Sequence, residues 1–161
     1  MTSQTAKAER FRDLHLGDPF VMPNPWDAGS ARVLAALGFP ALATTSSGFA
    51  FTLGRVDGTV TLEEMAEHAR AVDRATELPV SVDLENGYGS DSASAARAIE
   101  RVAEAGAVGG SIEDYDREDR RLLQLALRGH PHVGDPAGHD VLDELALREV
   151  LLVGVHDLAR D

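Results

Sequence analysis

Residues 61–89 read TLEEMAEHARAVDRATELPVSVDLENGYG, and the fold follows from this stretch. Thr61 followed by Glu64 has the capping-box pattern, a hydroxyl at the N-cap and a carboxylate three residues on. Leu62, Met65, Ala66, Ala69 and Val72 recur at helical spacing, which predicts a helix to about Thr76 with that face inward. Leu78-Pro79 ends the connection. Val80-Ser81-Val82-Asp83-Leu84-Glu85 then reads as a strand and Asn86-Gly87-Tyr88-Gly89 as the turn after it.

The same rhythm extends both ways along the chain. Toward the C-terminus, Ser92 to Ala105 predicts a helix closed by Gly106, and Val108 to Glu113 a strand. Toward the N-terminus, Ala41 to Thr45 predicts a strand and Ser46 to Gly58 a glycine-punctuated loop. Ser30 to Leu37 predicts a helix with Val33, Leu34 and Leu37 on one face and Gly38 just past its end. Ala6 to His15 predicts a short helix, and Phe20-Val21-Met22 a brief strand running into Pro23-Asn24-Pro25-Trp26-Asp27. Four strands separated by helices require crossover connections and hence parallel βαβ units. Ala36-Leu37-Gly38 and Glu104-Ala105-Gly106 end two helices in the same way, a repetition that suits a barrel, with a flavodoxin-like open sheet as the alternative. A closed (β/α)8 barrel takes ~250 residues, against 161 here. The expected fold is therefore α/β, a partial (β/α)8 TIM barrel of the first four to five βα units.

Composition narrows the function. Lys plus Arg number 15 and Asp plus Glu 27, a formal charge of −12, which opposes binding to phosphate backbones and argues against a nucleic-acid partner. There are no cysteines, so disulfides, thiolate metal sites and a Cys nucleophile are excluded. No stretch approaches the ~20 apolar residues of a membrane span. Met1 to Leu16 lacks an apolar signal core, and the expectation is a cytoplasmic protein.

The chemistry-bearing residues gather at predicted strand ends. Asp83 and Glu85 are two apart, so strand alternation puts both on one face. A lone pair of this kind also fits a solvated strand end. Glu113 closes the following strand and belongs on the same rim, the C-terminal one, where barrel enzymes do their chemistry. Carboxylates converging there repel unless a cation sits between them, and hard oxygen donors suit Mg²⁺ or Mn²⁺. Asp57, in the loop after the second strand, is a supporting acid or a turn residue beside Gly58. Gly87 and Gly89 leave room for a ligand near the backbone. Thr44 to Phe49 offers hydroxyls and backbone N–H groups near Gly48 as a carboxylate cradle. Trp26, the single tryptophan, walls the pocket or packs in the core. His130, His132 and His139 match no ligand spacing and read as loop residues.

Four motifs spread over about 100 residues resemble the isocitrate lyase/phosphoenolpyruvate mutase superfamily. They are Asn24-Pro25-Trp26-Asp27-Ala28-Gly29-Ser30-Ala31, Thr44 to Phe51, Asp83 to Gly89, and Gly110-Ser111-Ile112-Glu113-Asp114. The resemblance implies a homo-oligomeric barrel handling a small 2-oxo or 2-hydroxy carboxylate, by a Mg²⁺-dependent C–C or P–C lyase or mutase reaction. It implies Asp83, Glu85 and Glu113 as Mg²⁺ ligands, directly or through water, with Asp57 in support. Ser47, Gly48 and Phe49 match the segment that grips the substrate carboxylate, with Trp26 near the pocket. The sequence also departs from the family. Isocitrate-type lyases carry a Lys-Arg-Cys-Gly-His loop where this chain has Asp114-Tyr115-Asp116-Arg117-Glu118-Asp119-Arg120, which disfavours that substrate class. The family's fifth-strand Arg has no counterpart in residues 116–161. The expected division is thus a barrel half over residues 1–115 and a divergent, frameshifted or truncated tail over 116–161, with no catalytic base identified. The alternative is a non-catalytic half-barrel or inactive fragment that at most binds Mg²⁺ and a small dicarboxylate.

Overall fold

The computed structural model describes residues 2–113 and, beyond them, the strand backbone of residues 115–116 and 121–122. The expected tail lies largely outside the described residues, and His130, His132 and His139 lie entirely outside them. Five helices and three parallel strands alternate along residues 2–113: α1 (Gln4–Leu14), α2 (Ala28–Ala36), β1 (Leu42–Ala43), α3 (Ser46–Thr52), α4 (Leu62–Ala75), β2 (Val80–Asp83), α5 (Ser92–Ala103) and β3 (Gly109–Ser111). The sheet order is β1-β2-β3, with Ala43 opposite Ser81, Ser81 opposite Gly109 and Asp83 opposite Ser111. A separate antiparallel pair joins β4 (Tyr115–Asp116) to β5 (Arg121–Leu122).

The α4–β2 unit follows its sequence closely. Thr61 Oγ1 accepts the Glu64 N–H at 3.3 Å while Glu64 Oε2 accepts the Thr61 N–H at 2.9 Å, so two orphan donors of the helix start are satisfied reciprocally. Met65, Ala66, Ala69 and Val72 are buried against β2, whose Val80 and Val82 are also fully buried. Asp91 caps α5 in the same sense, taking the Ser94 N–H at 2.7 Å. The glycines after β2 serve this packing. A Cβ on Gly87 would stand 3.0 Å from the Ala95 backbone, and one on Gly89 would stand 2.3 Å from the Ser94 hydroxyl. The space expected for a ligand is therefore taken by the start of α5.

Three other expectations are corrected. Residues 20–22 form no ladder with β1; the backbone contact beside it is the Ala43 N–H to Pro23 O bond at 3.2 Å. Pro19, Pro23 and Pro25 flank this segment without an N–H to contribute, which limits extension of any pairing to either side of it. The loop expected from Ser46 begins instead as α3, because Thr45 acts as N-cap and accepts the Gly48 N–H. On α2, Ala31 is buried and Leu34 packs against the core, but Val33 is 60% exposed and the C-cap Leu37 70%, so the three residues expected on one face divide between core and surface.

The N-terminal end of the sheet is closed by α1. Phe11 packs with Ala41 and Val108, and a Cβ on Gly109 would come within 2.6 Å of its ring. The buried Lys7 ammonium reaches Asp73 at 2.8 Å and the Thr76 carbonyl at 3.0 Å, tying α1 to the end of α4. Among the described residues no helix is long and apolar enough to cross a membrane.

Candidate metal and carboxylate site

At the other end of the sheet, the C-terminal ends of the strands open into a cavity of about 350 Å³. Asn24, Thr44, Thr45, Asp83, Ser111 and Glu113 line it with oxygen-rich side chains. Parallel strands deliver their last residues to one rim, which is why groups far apart in sequence meet here. Asn24 is fixed by an Nδ2–H bond to the Ala43 carbonyl at 2.9 Å. Buried Thr44 accepts the Asp83 N–H through Oγ1 at 3.0 Å, prolonging the β1–β2 register by a side-chain bond.

Asp83 is held at both oxygens. Oδ1 accepts the Glu85 N–H at 3.0 Å and Oδ2 the Ser46 N–H at 2.9 Å. A carboxylate has about four lone-pair sites, so each oxygen keeps capacity for a further partner. Glu85 does not follow the expected alternation. β2 ends at Asp83, and Glu85 adopts φ +51°, the left-handed region disfavoured for side chains with a Cβ. Its side chain is buried at 5% exposure, while its carbonyl accepts the Glu113 N–H at 2.6 Å. Glu85 thus lies in the turn that follows β2, and the acidic residues lining the cavity are Asp83 and Glu113. Among the described residues, no three His, Cys, Asp or Glu side chains gather as a metal-holding group. Two carboxylates with hydroxyls and room for water still fit Mg²⁺, which is commonly held by one or two carboxylates and keeps several waters. Among the described residues the cavity wall offers no sulfur or imidazole, and this donor set also suits Mn²⁺ better than zinc.

The expected carboxylate grip lies on α3, beside the cavity. Ser47, Gly48 and Phe49 occupy its first turn, where the Gly48 N–H is given to Thr45 Oγ1 and the Phe49 N–H to the Thr45 carbonyl. The N-cap therefore already uses N–H groups expected to be open to a ligand. A Cβ on Gly48 would stand 2.7 Å from the Trp26 indole, so glycine is what lets that ring lie on the helix. Trp26 meets the Phe51 edge at 6.4 Å between centroids and is half exposed, outside the cavity lining. Asp57, on the loop after α3, receives the Ser46 hydroxyl at 3.4 Å.

Thr44 and Thr45, read in the sequence as part of the carboxylate cradle, line the cavity together with Asn24 and Ser111, which the sequence marked only as members of the family motifs. Ser46 was read within the same cradle, and nothing in the sequence marked His68. His68, on α4, stacks face to face on Phe49 at 4.0 Å and is 6% exposed, its Nε2 making no hydrogen bond among the described residues. Burial lowers its pKa to about 4, with the Asp27 charge opposing the shift.

The sequence profile of the phosphoenolpyruvate phosphomutase family matches residues 11–129. An oxaloacetate decarboxylase of Bradyrhizobium diazoefficiens is 37% identical over 112 residues, which cover 68% of this chain and 38% of that protein. A 2-methylisocitrate lyase of Halalkalibacterium halodurans is 36% identical over 114 residues, covering 70% and 38%. A crystal structure from Burkholderia cenocepacia J2315, described as a lyase/mutase, superposes with a TM-score of 0.71 at 50% identity, over 74% of this chain and 43% of that one. The chain spans less than half the length of these relatives. Its α/β architecture is that of the barrel proteins of the isocitrate lyase/phosphoenolpyruvate mutase superfamily, and by the extent of the profile match the chain belongs to the phosphoenolpyruvate phosphomutase family.

Proposed function

We propose that this chain carries the metal-binding portion of a Mg²⁺-dependent lyase or mutase site that breaks a C–C or P–C bond in a small 2-oxo or 2-hydroxy carboxylate. The observation that carries this reading is the meeting of Asp83 and Glu113, from adjacent parallel strands, on one oxygen-lined cavity. Those two would hold Mg²⁺ or Mn²⁺, with Glu85 and Asp57 acting through water or through neighbouring bonds. A divalent ion supplies stabilisation of the negative charge that develops on an enolate oxygen when a bond beside a carbonyl breaks. Asp83 is pre-oriented for that role by its two backbone bonds, so little side-chain freedom is lost on loading. Ser47, Gly48 and Phe49, with Trp26 against them, are the proposed grip for the substrate carboxylate, once the Thr45 cap yields its N–H bonds. The barrel half over residues 1–115, the divergent tail and assembly into a homo-oligomer belong to the same proposal.

A second reading, a binder of Mg²⁺ and a small dicarboxylate without catalysis, is favoured by one feature. The described cavity lining holds no Lys, His, Tyr or Cys to serve as a general base. Calorimetry with Mg²⁺ and oxalate tests the shared claim: heat is expected for the unsubstituted chain and none for Asp83→Ala, and retained affinity in that variant removes the metal assignment. Mg²⁺-dependent release of pyruvate or glyoxylate from 2-oxo or 2-hydroxy diacids then separates enzyme from binder.

A further inference from the structure

Ser46 occupies an unusual position between two acids. It is 6% exposed at the first position of α3, its N–H goes to Asp83 Oδ2 at 2.9 Å, and its hydroxyl goes to Asp57 Oδ1 at 3.4 Å. Asp83 lies at the end of β2, whereas Asp57 lies on the exposed loop after α3. Two carboxylates from separate segments are thereby referred to one buried residue. The backbone bond needs no particular side chain at position 46. The hydroxyl bond does, and an alanine there would keep the first and lose the second.

We infer that Ser46 is a positioning residue whose hydroxyl holds Asp57 beside Asp83, so that the supporting acid is in place before a divalent ion arrives. The inference rests on the metal reading above. The physical argument is one of pre-ordering. An acid on an exposed loop samples many rotamers, and immobilising it at the moment of binding costs conformational freedom that a pre-existing bond has already removed. Partners that orient the groups around a metal site typically contribute 10–100-fold in affinity when lost. A hydroxyl at 3.4 Å is a long bond, so the expected effect sits at the lower end of that range.

The test uses the full chain and Mn²⁺ alone, followed by disappearance of the free-ion paramagnetic resonance signal. Ser46→Ala should weaken Mn²⁺ binding by about tenfold, at the lower end of that range, while Ser46→Thr, which keeps the hydroxyl, stays within about twofold of the unsubstituted chain. In an Asp57→Ala background, Ser46→Ala should cause no further loss, because its partner is gone. A metal-free double-mutant cycle of urea midpoints, in chelator, should show coupling between positions 46 and 57, which an unrelated packing role for Ser46 would not produce. Unchanged affinity in Ser46→Ala, a Thr variant as weak as the Ala variant, or losses that multiply in the double variant would each overturn the inference. Failure of the unsubstituted chain to take up Mn²⁺ removes the metal reading itself and leaves Ser46 a structural brace.

Discussion

The two ends of the parallel sheet are built on opposite principles. The N-terminal end is shut: Phe11 covers Val108 and Ala41, Gly109 makes room for its ring, and Lys7 locks α1 to α4 through Asp73 and Thr76. The C-terminal end is open and polar, with Asp83, Glu113, Ser111 and two threonines around a cavity. At the closed end, side chains are used to exclude water. At the open end, the backbone N–H groups of Ser46 and Glu85 hold the Asp83 carboxylate in place. The two ends thus separate the residues that pack the sheet from those that line the cavity, and substitutions at the two ends should differ in kind.

The largest effect is expected at the closed end. Phe11→Ala should cost about 3–5 kcal/mol in urea unfolding, the range for truncating a buried aromatic, without changing the fold of the rim in what remains folded. A loss below about 1 kcal/mol would mean that α1 is not the plug described.

The next prediction concerns pH, near the open end. The pKa of His68 is lowered to about 4 from an ordinary 6.5, by burial first and against the opposing Asp27 charge. Between those values the unfolded chain binds the proton and the folded chain does not. Stability is therefore complete above the unfolded value and falls as pH drops through the window toward the folded one, by up to about 3 kcal/mol. His68→Phe should flatten that slope while keeping the stack on Phe49, and an unchanged slope assigns the loss to another group. Asp27 and Glu64, whose carboxyl pKa values are lowered by hydrogen bonds from Ser30 and Thr61, act further down, since their contribution is present above their ordinary values and lost as pH falls through the folded ones.

Gly48→Ala should destabilise by about 1–3 kcal/mol, the usual range for overpacking. Its new methyl would stand 2.6 Å from Thr45 Cγ2 and 2.7 Å from the Trp26 indole. Because Trp26 is the only tryptophan, a shift in its emission reads the displacement directly. An unshifted spectrum would show that the helix moves and the ring stays. The smallest effect belongs to Thr61→Ala, which removes one half of the α4 capping box and should cost about 1 kcal/mol in thermal or urea unfolding. A null result there would mean that packing of Met65 and Val72 alone sets the helix start.

The regions also differ in how much of them could be read beforehand. From Thr61 to Asp83 the capping box, the buried helical face and the strand were all legible, because the partner that each apolar side chain needs is present in the fold. From Phe20 to Gly58 the reading failed in three places. Residues 20–22 form no ladder, Thr45 turns a loop into α3, and Val33 and Leu37 stay exposed while Leu34 packs inward. In the candidate site, Asp83 and Glu113 were legible as acids at adjacent strand ends. The roles of Ser46, Thr44 and His68 were not, because each depends on a neighbour 11 to 39 positions away.

Local chemistry determined the helices, the parallel order of the strands, the exclusion of thiol chemistry and the family motifs, since capping, periodicity and residue type act over a few positions. Tertiary structure alone decided which carboxylates share a cavity. The left-handed turn at Glu85 withdraws that side chain from the alternation of β2, and the bonds from Ser46 and Thr44 hold Asp83 at the rim. Such bonds join segments with no sequence relation, and only the crossing of the chain brings their donors and acceptors within reach.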